Sequence, residues 1–163
     1  MYRTKENYLD LFQVSERQLE RLVSGGLESG GSFCDLFFEK TVFNDLQLRD
    51  GTVSSGGFHI DSGVGIRVLD GEKTGYAYSE STDSVAMAEA AKAAARIAGC
   101  GKGVTSEIKC RHTAASLDYY PIRQDWTGMD ASVFVPYLER LQEKIASRDS
   151  RVVKIRISLQ TSL

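Results

Sequence analysis

From residue 15 onward the apolar positions fall into a helical rhythm. Leu19, Leu22 and Val23 recur at the spacing of one helix face. Ser15 stands ahead of them as an N-cap. Gln18 follows as its capping-box partner, and Val14 and Leu19 flank the pair as a hydrophobic staple. Gly25-Gly26 predicts the stop, because glycine readily takes the left-handed conformation of a C-terminal cap. Residues 1–14 mix polar and aromatic positions without a period, and Ser29–Ser32 reads as a flexible connection.

Between Phe33 and Ser79 the period changes to two. Cys34, Leu36 and Phe38 alternate with Asp35, Phe37 and Glu39. Leu46 and Leu48, Phe58 and Ile60, and Val64, Ile66 and Val68 do the same, and Tyr76 and Tyr78 close the series. Such alternation predicts strands with one face on a core and one wetter face. Asp50-Gly51 and Asp70-Gly71 lie between runs, and Asp-Gly favours the positive dihedrals of a type I′ turn. The segment therefore reads as an antiparallel meander.

Residues 84–98 predict a second helix rich in alanine, the strongest helix former. Met87, Ala91, Ala94 and Ala98 form its packing stripe with Ile97 beside it, and Glu89, Lys92 and Arg96 mark its solvent face. Gly99 and Gly101 end it. Residues 102–130, with Tyr119, Tyr120, Pro121 and Trp126, have no period and read as a long connection. A third helix follows, with Asp130 as N-cap, Pro136 in the first turn, and Phe134, Leu138, Leu141 and Ile145 on one face. Val153, Ile155, Ile157 and Leu159 alternate as a last strand, which either returns to the first sheet or begins a second unit. The fold class that follows is α+β, a two-layer domain with an antiparallel meander sheet packed against about three helices. The division predicted is 1–150 as the α+β domain and 151–163 as a strand leading to a further domain.

Composition narrows the function classes. A net charge of -2 over 163 residues supplies no electrostatic ground for a nucleic-acid or anionic-membrane partner. No apolar run approaches the roughly 20 residues of a membrane span, and the N-terminus has no signal-peptide core. Cys34, Cys100 and Cys110, odd in number and irregularly spaced, read as reduced thiols of a cytoplasmic protein.

The runs Ile60-Asp61-Ser62-Gly63-Val64-Gly65-Ile66-Arg67 and Gly71-Glu72-Lys73-Thr74-Gly75-Tyr76-Ala77-Tyr78 carry a more specific signal. Asp35-Leu36-Phe37-Phe38-Glu39 and a strand ending in Asp-Gly precede them, and the alanine-rich helix follows. This order resembles the N-terminal domain of the TldD/PmbA family, also labelled modulator of DNA gyrase, and Gly71–Gly75 points to its TldD side. The resemblance implies an α+β domain joined to a larger β-rich C-terminal domain that holds zinc on an H-E-x-x-x-H helix. It also implies pairing with a TldE/PmbA-type paralogous subunit or a homodimer, and cleavage of unfolded peptides in a closed cavity. Zinc hydrolysis needs ligands, an open position for water and a carboxylate to take its proton. This sequence has two histidines, His59 and His112, 53 positions apart and neither followed by Glu. No residue here inherits a metal or catalytic role, and the zinc belongs to the C-terminal domain.

Three other groups of residues invite a chemical reading. Cys100, Cys110 and His112 lack the paired spacing of a zinc site and read as two buried thiols and a surface imidazole. Gly71-Glu72-Lys73-Thr74 echoes the end of a phosphate loop, but the upstream glycine is misplaced and β alternation surrounds it. His59, Asp61 and Arg67 share a strand face. They read either as a solvated face with cross-strand pairs, the favoured reading, or as part of a substrate passage. The same two readings cover Lys73 and Tyr76.

Overall fold

The computed structural model describes residues 8–99, 108–110 and 126–163. Its elements run α1 (Tyr8–Phe12), α2 (Glu16–Leu27), β1 (Phe33–Arg49), β2 (Thr52–Asp70), β3 (Lys73–Ser79), α3 (Ser84–Ala98), α4 (Val135–Ala146) and β4 (Arg156–Ser162). The four strands make one antiparallel sheet in the order β3-β2-β1-β4, which with its helices is the predicted α+β class. The described residues divide into two compact units, 8–40 with 62–99 and 108–110, and 41–61 with 126–163.

In the first unit the even positions of both long strands turn toward the helices. Val64, Ile66 and Val68 are buried with Leu22 of α2 and with Met87, Ala91, Ala94 and Ala98 of α3. Cys34, Leu36 and Phe38 pack against the same cluster. Burying a side chain the size of Met87 or Ile66 contributes roughly 1.5–3 kcal/mol, so this cluster is what fixes the helices to the sheet. The capping box is present as predicted: Ser15 caps the Gln18 amide, and Gln18 accepts the Ser15 amide at 2.8 Å.

α2 ends at Leu27, one residue past the predicted stop near Gly25-Gly26, but its C-cap is Glu28 in the right-handed conformation, so no left-handed glycine ends it. Gly26 is buried, and a Cβ there would meet Cys34 Sγ at 2.8 Å and Val68 at 3.2 Å. That glycine serves close helix-to-sheet approach, not helix termination. α1 had no periodic signal, yet Phe12 is buried and its ring lies 5.1 Å from that of Phe38. α3 matches its predicted span and ends on Gly99 at φ 64°. Ile97 is 62% exposed, so it does not belong to the packing stripe.

Asp83 is the N-cap of α3, accepting the amides of Val85 and Ala86 at 2.9 Å each. The Ser81 hydroxyl, then the Ala86 and Val85 amides, hold its carboxyl below the ordinary range. A depressed folded-state pKa adds stability above the unfolded value that is lost as pH falls through the folded one. Asn is an equally good cap but does not titrate. The Tm difference between the native chain and Asp83→Asn is therefore expected to shrink as pH drops from about 5 to about 3. A difference that stays constant across that range would refute the charged cap.

The second unit is a hairpin, a helix and the last strand. Asp50 and Gly51 have φ 48° and 84°, so both central residues take positive φ, as a type I′ turn requires. The other hairpin differs. Asp70 pairs with Lys73, which makes Gly71-Glu72 the loop, and only Gly71 has positive φ. That pattern belongs to type II′ and corrects the predicted Asp70-Gly71 turn. β4 returns to β1, with Leu46 opposite Leu159 and Leu48 opposite Ile157. Asp130 caps a 3-10 turn, Ala131–Val133, ahead of α4, and Pro136 sits in the helix's first turn. Leu138 of α4 closes a small core on Leu46 and Leu48, while Leu141 and Ile145 stay exposed. The Gly51 amide donates to Gln142 Oε1 at 2.5 Å, tying the turn to the helix.

The β1–β2 hairpin also contains a bulge. The Ser54 hydroxyl bonds the Gln47 carbonyl and side chain, so 47 faces 54. Further along, Phe43 stacks on His59, and a Cβ on Gly57 would run into the Asp45 carboxylate. These pairs cannot share one uninterrupted register, because opposed positions sum to 101 in the first case and 102 in the others. One extra residue therefore sits at Ser55-Gly56, opposite Leu46, where glycine accommodates the distortion. Beyond it Phe58 and Ile60 take the face of Leu46. They are nevertheless 59% and 48% exposed, so the expectation that they pack on a core fails: α4 closes over β1 and not over this stretch of β2.

Candidate functional site

The sequence candidates separate when placed on the strands. His59 and Asp61 lie in the second unit; Arg67, Lys73 and Tyr76 lie in the first. His59 is stacked flat on Phe43, with ring centroids 4.6 Å apart and 12° between planes, and Asp61 is exposed.

In the first unit Arg67 and Tyr76 are direct cross-strand partners on the face turned away from the helices. Arg67 holds Asp35 through two parallel bonds, Nε to Oδ1 at 3.0 Å and Nη2 to Oδ2 at 2.7 Å. That hydrogen bond, with the carboxylate's charge, raises the guanidinium pKa still further. Planar two-point pairing of this kind sets geometry more than stability where both groups are half exposed. Tyr76 lies across Gly65, whose Cβ would come within 3.0 Å of two ring carbons. Gly63 leaves room in the same way for the backbone at Ser79 and Glu80.

Lys73 does not join them. Its position alternates with that of Tyr76, and its Nζ lies near Gly99, the C-cap of α3. A cation there complements the negative end of the helix dipole. Gly75, two residues on, sits against the α3 backbone at Ala94 and Ala98. The stretch that echoes a phosphate loop is thus a hairpin that docks a helix. The Asp35 partner of Arg67 and the Asp83 cap were both unassigned in the sequence. Asp35 could have been found by summing hairpin positions, had the bulge been visible.

Neither described thiol is set up as a nucleophile. Burial, then the Asp35 charge, pushes Cys34 up to about 11. Cys110 is exposed, not buried as expected. It too is raised, by partial desolvation and then by the Glu20 and Glu16 carboxylates, and its amide donates to Glu20 at 2.8 Å. Cys100, His112 and most of the 102–130 connection lie outside the described residues.

Among the described residues no group of three or more His, Cys, Asp or Glu is placed to hold a metal ion, so the side chains described do not fit a zinc centre. None of their helices is long and apolar enough to cross a membrane. An open cleft of about 750 Å³ in the first unit runs between the end of α2, β3 and α3. Its lining includes Glu28, Tyr78, Glu89, Lys92 and Arg96, with charges of both signs.

Residues 34–98 match the family model described as PmbA/TldA metallopeptidase domain 1. The chain is 27% identical over 129 residues to a metalloprotease TldD homolog of Haemophilus influenzae, covering 79% of this chain and 27% of that protein. It is 30% identical over 146 residues to a TldD homolog of Buchnera aphidicola from Acyrthosiphon pisum, covering 88% and 29%. The chain thus spans under a third of the length of these relatives. Its fold is shared with a Bacteroides thetaiotaomicron protein described as a modulator of DNA gyrase, with TM-score 0.68, 9% identity, and 90% and 34% coverage. It is shared also with TldE of Thermococcus kodakarensis, with TM-score 0.62, 13% identity, and 88% and 35% coverage.

Proposed function

The chain matches the TldD/PmbA metallopeptidase family as an N-terminal family domain, and from that premise we propose that it is the non-catalytic part of a TldD-like zinc metallopeptidase. The match of residues 34–98 to the first domain of the family carries this reading. The signature residues support it by acting as scaffold: Gly63, Gly65 and Gly75 allow close approach, Arg67 pairs with Asp35, and Lys73 sits at a helix end. None of them is arranged for hydrolysis. In the assembled enzyme this domain walls the cavity in which unfolded peptides are cut. Its partners are a C-terminal domain, which carries the zinc, and a TldE/PmbA-type paralogous subunit or a second copy. Residues 151–163 lead toward that C-terminal domain, and the setting is the reducing cytoplasm.

A second reading is a stand-alone interaction module of the same fold, favoured by the uncovered stretch of β2 in the second unit. One experiment separates the two. The chain is mixed with a separately expressed C-terminal region of a TldD-type enzyme carrying H-E-x-x-x-H, with and without a TldE-type subunit, and peptide cleavage is followed. The chain alone is expected to be inactive, and the mixture to show zinc-dependent cleavage well above the C-terminal region alone. Cleavage by the chain alone would overturn both readings. A mixture no better than the C-terminal region would leave the module.

A further inference from the structure

In the second unit the turn end of the sheet sets two cations against each other. Arg49 of β1 stands directly opposite Arg156 of β4. Val42 and Leu163 exchange both backbone bonds, at 2.8 and 3.1 Å, and the Asp50 amide donates to the Ile155 carbonyl at 3.0 Å. The even positions of β1 are therefore the hydrogen-bonded pairs with β4. Arg49 and Arg156 form a non-hydrogen-bonded pair, with Cα atoms about 4.5 Å apart and side chains at their closest. Both are exposed, and both lie on the face away from α4, because Leu48 and Ile157 beside them turn toward its core. Like charges directly opposite each other destabilise a sheet.

Among the described residues neither guanidinium has a hydrogen-bond or ion-pair partner. The Asp50 carboxylate, next in the chain to Arg49, accepts the Ile155 amide at 2.9 Å, and Asp149 is held by Arg151. Asp45 is on the same face, but four residues along β1 place its Cα about 13 Å from that of Arg49. The groups closer to the pair are uncharged. Thr52 flanks Arg49 across the Asp50-Gly51 turn. In the next row the Ser54 hydroxyl donates to the Gln47 carbonyl at 3.2 Å, and Gln47 Nε2 donates to Ser158 Oγ at 3.5 Å. Ser158 accepts that bond and keeps its own proton to donate.

The geometry points to a binding site for a phosphoryl group, held between Arg49 and Arg156 with the Thr52 and Ser158 hydroxyls beside it. A carboxylate fits less well, and Arg67 shows why: both oxygens of Asp35 go to that one guanidinium. One carboxylate here would satisfy one fork and leave the other bare. A phosphoryl group has three acceptor oxygens and a charge of about -1.5 to -2 at neutral pH, enough to bridge both forks and cancel their repulsion. A free phosphate ion and a small phosphate monoester both carry this group. The site is independent of the peptidase reading, so either can fail alone.

NMR titration of the 163-residue chain at constant ionic strength tests it, with inorganic phosphate, glycerol phosphate, sulfate and acetate as probes. The amide signals of Arg49, Thr52 and Arg156 should move with phosphate along a saturating curve, with Kd on the order of 1–10 mM. Sulfate, also tetrahedral and doubly charged, should bind within a few-fold of phosphate, and acetate at least about tenfold more weakly. Arg49→Gln and Arg156→Gln should each weaken phosphate by about tenfold or more, while their Tm without phosphate equals or exceeds that of the native chain, since a repulsion is gone. Arg140→Gln, which removes a positive charge from α4, should bind as the native chain does. Glycerol phosphate binding more tightly than phosphate would identify a monoester as the occupant, and equal binding the free ion. The proposal is overturned by shifts that do not saturate below about 100 mM phosphate, by acetate binding as well as phosphate, or by Arg49→Gln binding phosphate like the native chain.

Discussion

Gly75→Ala is expected to lower the stability of the first unit by about 3 kcal/mol, a drop of roughly 10–20 °C in Tm for a unit of this size. The reason is geometric. An added Cβ would meet the carbonyl oxygen of Ala94 and would lie 2.5 Å from the Ala98 amide nitrogen and 2.9 Å from the Ala94 carbonyl carbon. All three are helix backbone, and Ala94 and Ala98 are themselves fully buried. A flexible side chain could move aside; a hydrogen-bonded helix cannot without leaving the sheet. Reduced freedom of the unfolded chain offsets only about 0.4–1 kcal/mol. Two other glycines serve as controls. Gly25 lies inside α2 with nothing within 4 Å of its added Cβ, so Gly25→Ala should stabilise the chain by roughly 0.5–1 kcal/mol. Gly71 also has open space but φ 58°, so Gly71→Ala should cost about 1–2 kcal/mol. Thermal unfolding of the three variants ranks them. A Gly75→Ala protein as stable as the native chain would mean that α3 does not pack as closely on β3 as the structure places it.

The same comparison shows how far the sequence could be read. Local chemistry was legible where one residue type has one strong use. Ser15 with Gln18, the alanine run of α3 closed by Gly99, and Asp50-Gly51 all stand where their chemistry put them. Glycine was harder, because the same residue ends helices, makes turns and admits close contact. α2 does end within one residue of Gly26, yet that glycine serves a close contact and not the cap. Alternation gave the strands but could not be carried through the bulge at Ser55-Gly56. Phe58 and Ile60 do take the face of Leu46 beyond it, but α4 does not extend over them, and no local pattern encodes how far that helix reaches. Of the five candidate residues, Arg67 and Tyr76 are brought together because the two-residue hairpin sets odd positions of β2 opposite even positions of β3. Lys73, three residues before Tyr76 and opposite Asp70, falls on the other face of β3. The Asp35–Arg67 pair spans 32 positions and depended on a register that no local pattern encodes.

The second large effect is expected from Leu48→Ala, which should remove about 3–5 kcal/mol from the second unit. Leu48 is fully buried, stands opposite Ile157 of β4, and packs with Leu46 and Leu138. Among the described residues those three are the buried members of that cluster, with Phe134, Val135, Ile157 and Leu159 packed partly buried around them. The first unit's cluster is far larger, including Phe12, Leu22, Ile66 and Met87. A truncation that a large core absorbs as one cavity takes away a third of the buried side chains here. Hydrogen exchange followed by mass spectrometry resolves the outcome. In Leu48→Ala the amides of Phe43–Arg49, α4 and β4 should lose protection. Those of Val64–Asp70, β3 and α3 should keep it, because stability is local where cores are separate. Met87→Ala, fully buried in the first cluster, should give the reverse pattern at a cost of about 2–5 kcal/mol. Uniform loss of protection in both variants would show instead that the continuous strands β1 and β2 weld the two clusters into one cooperative unit.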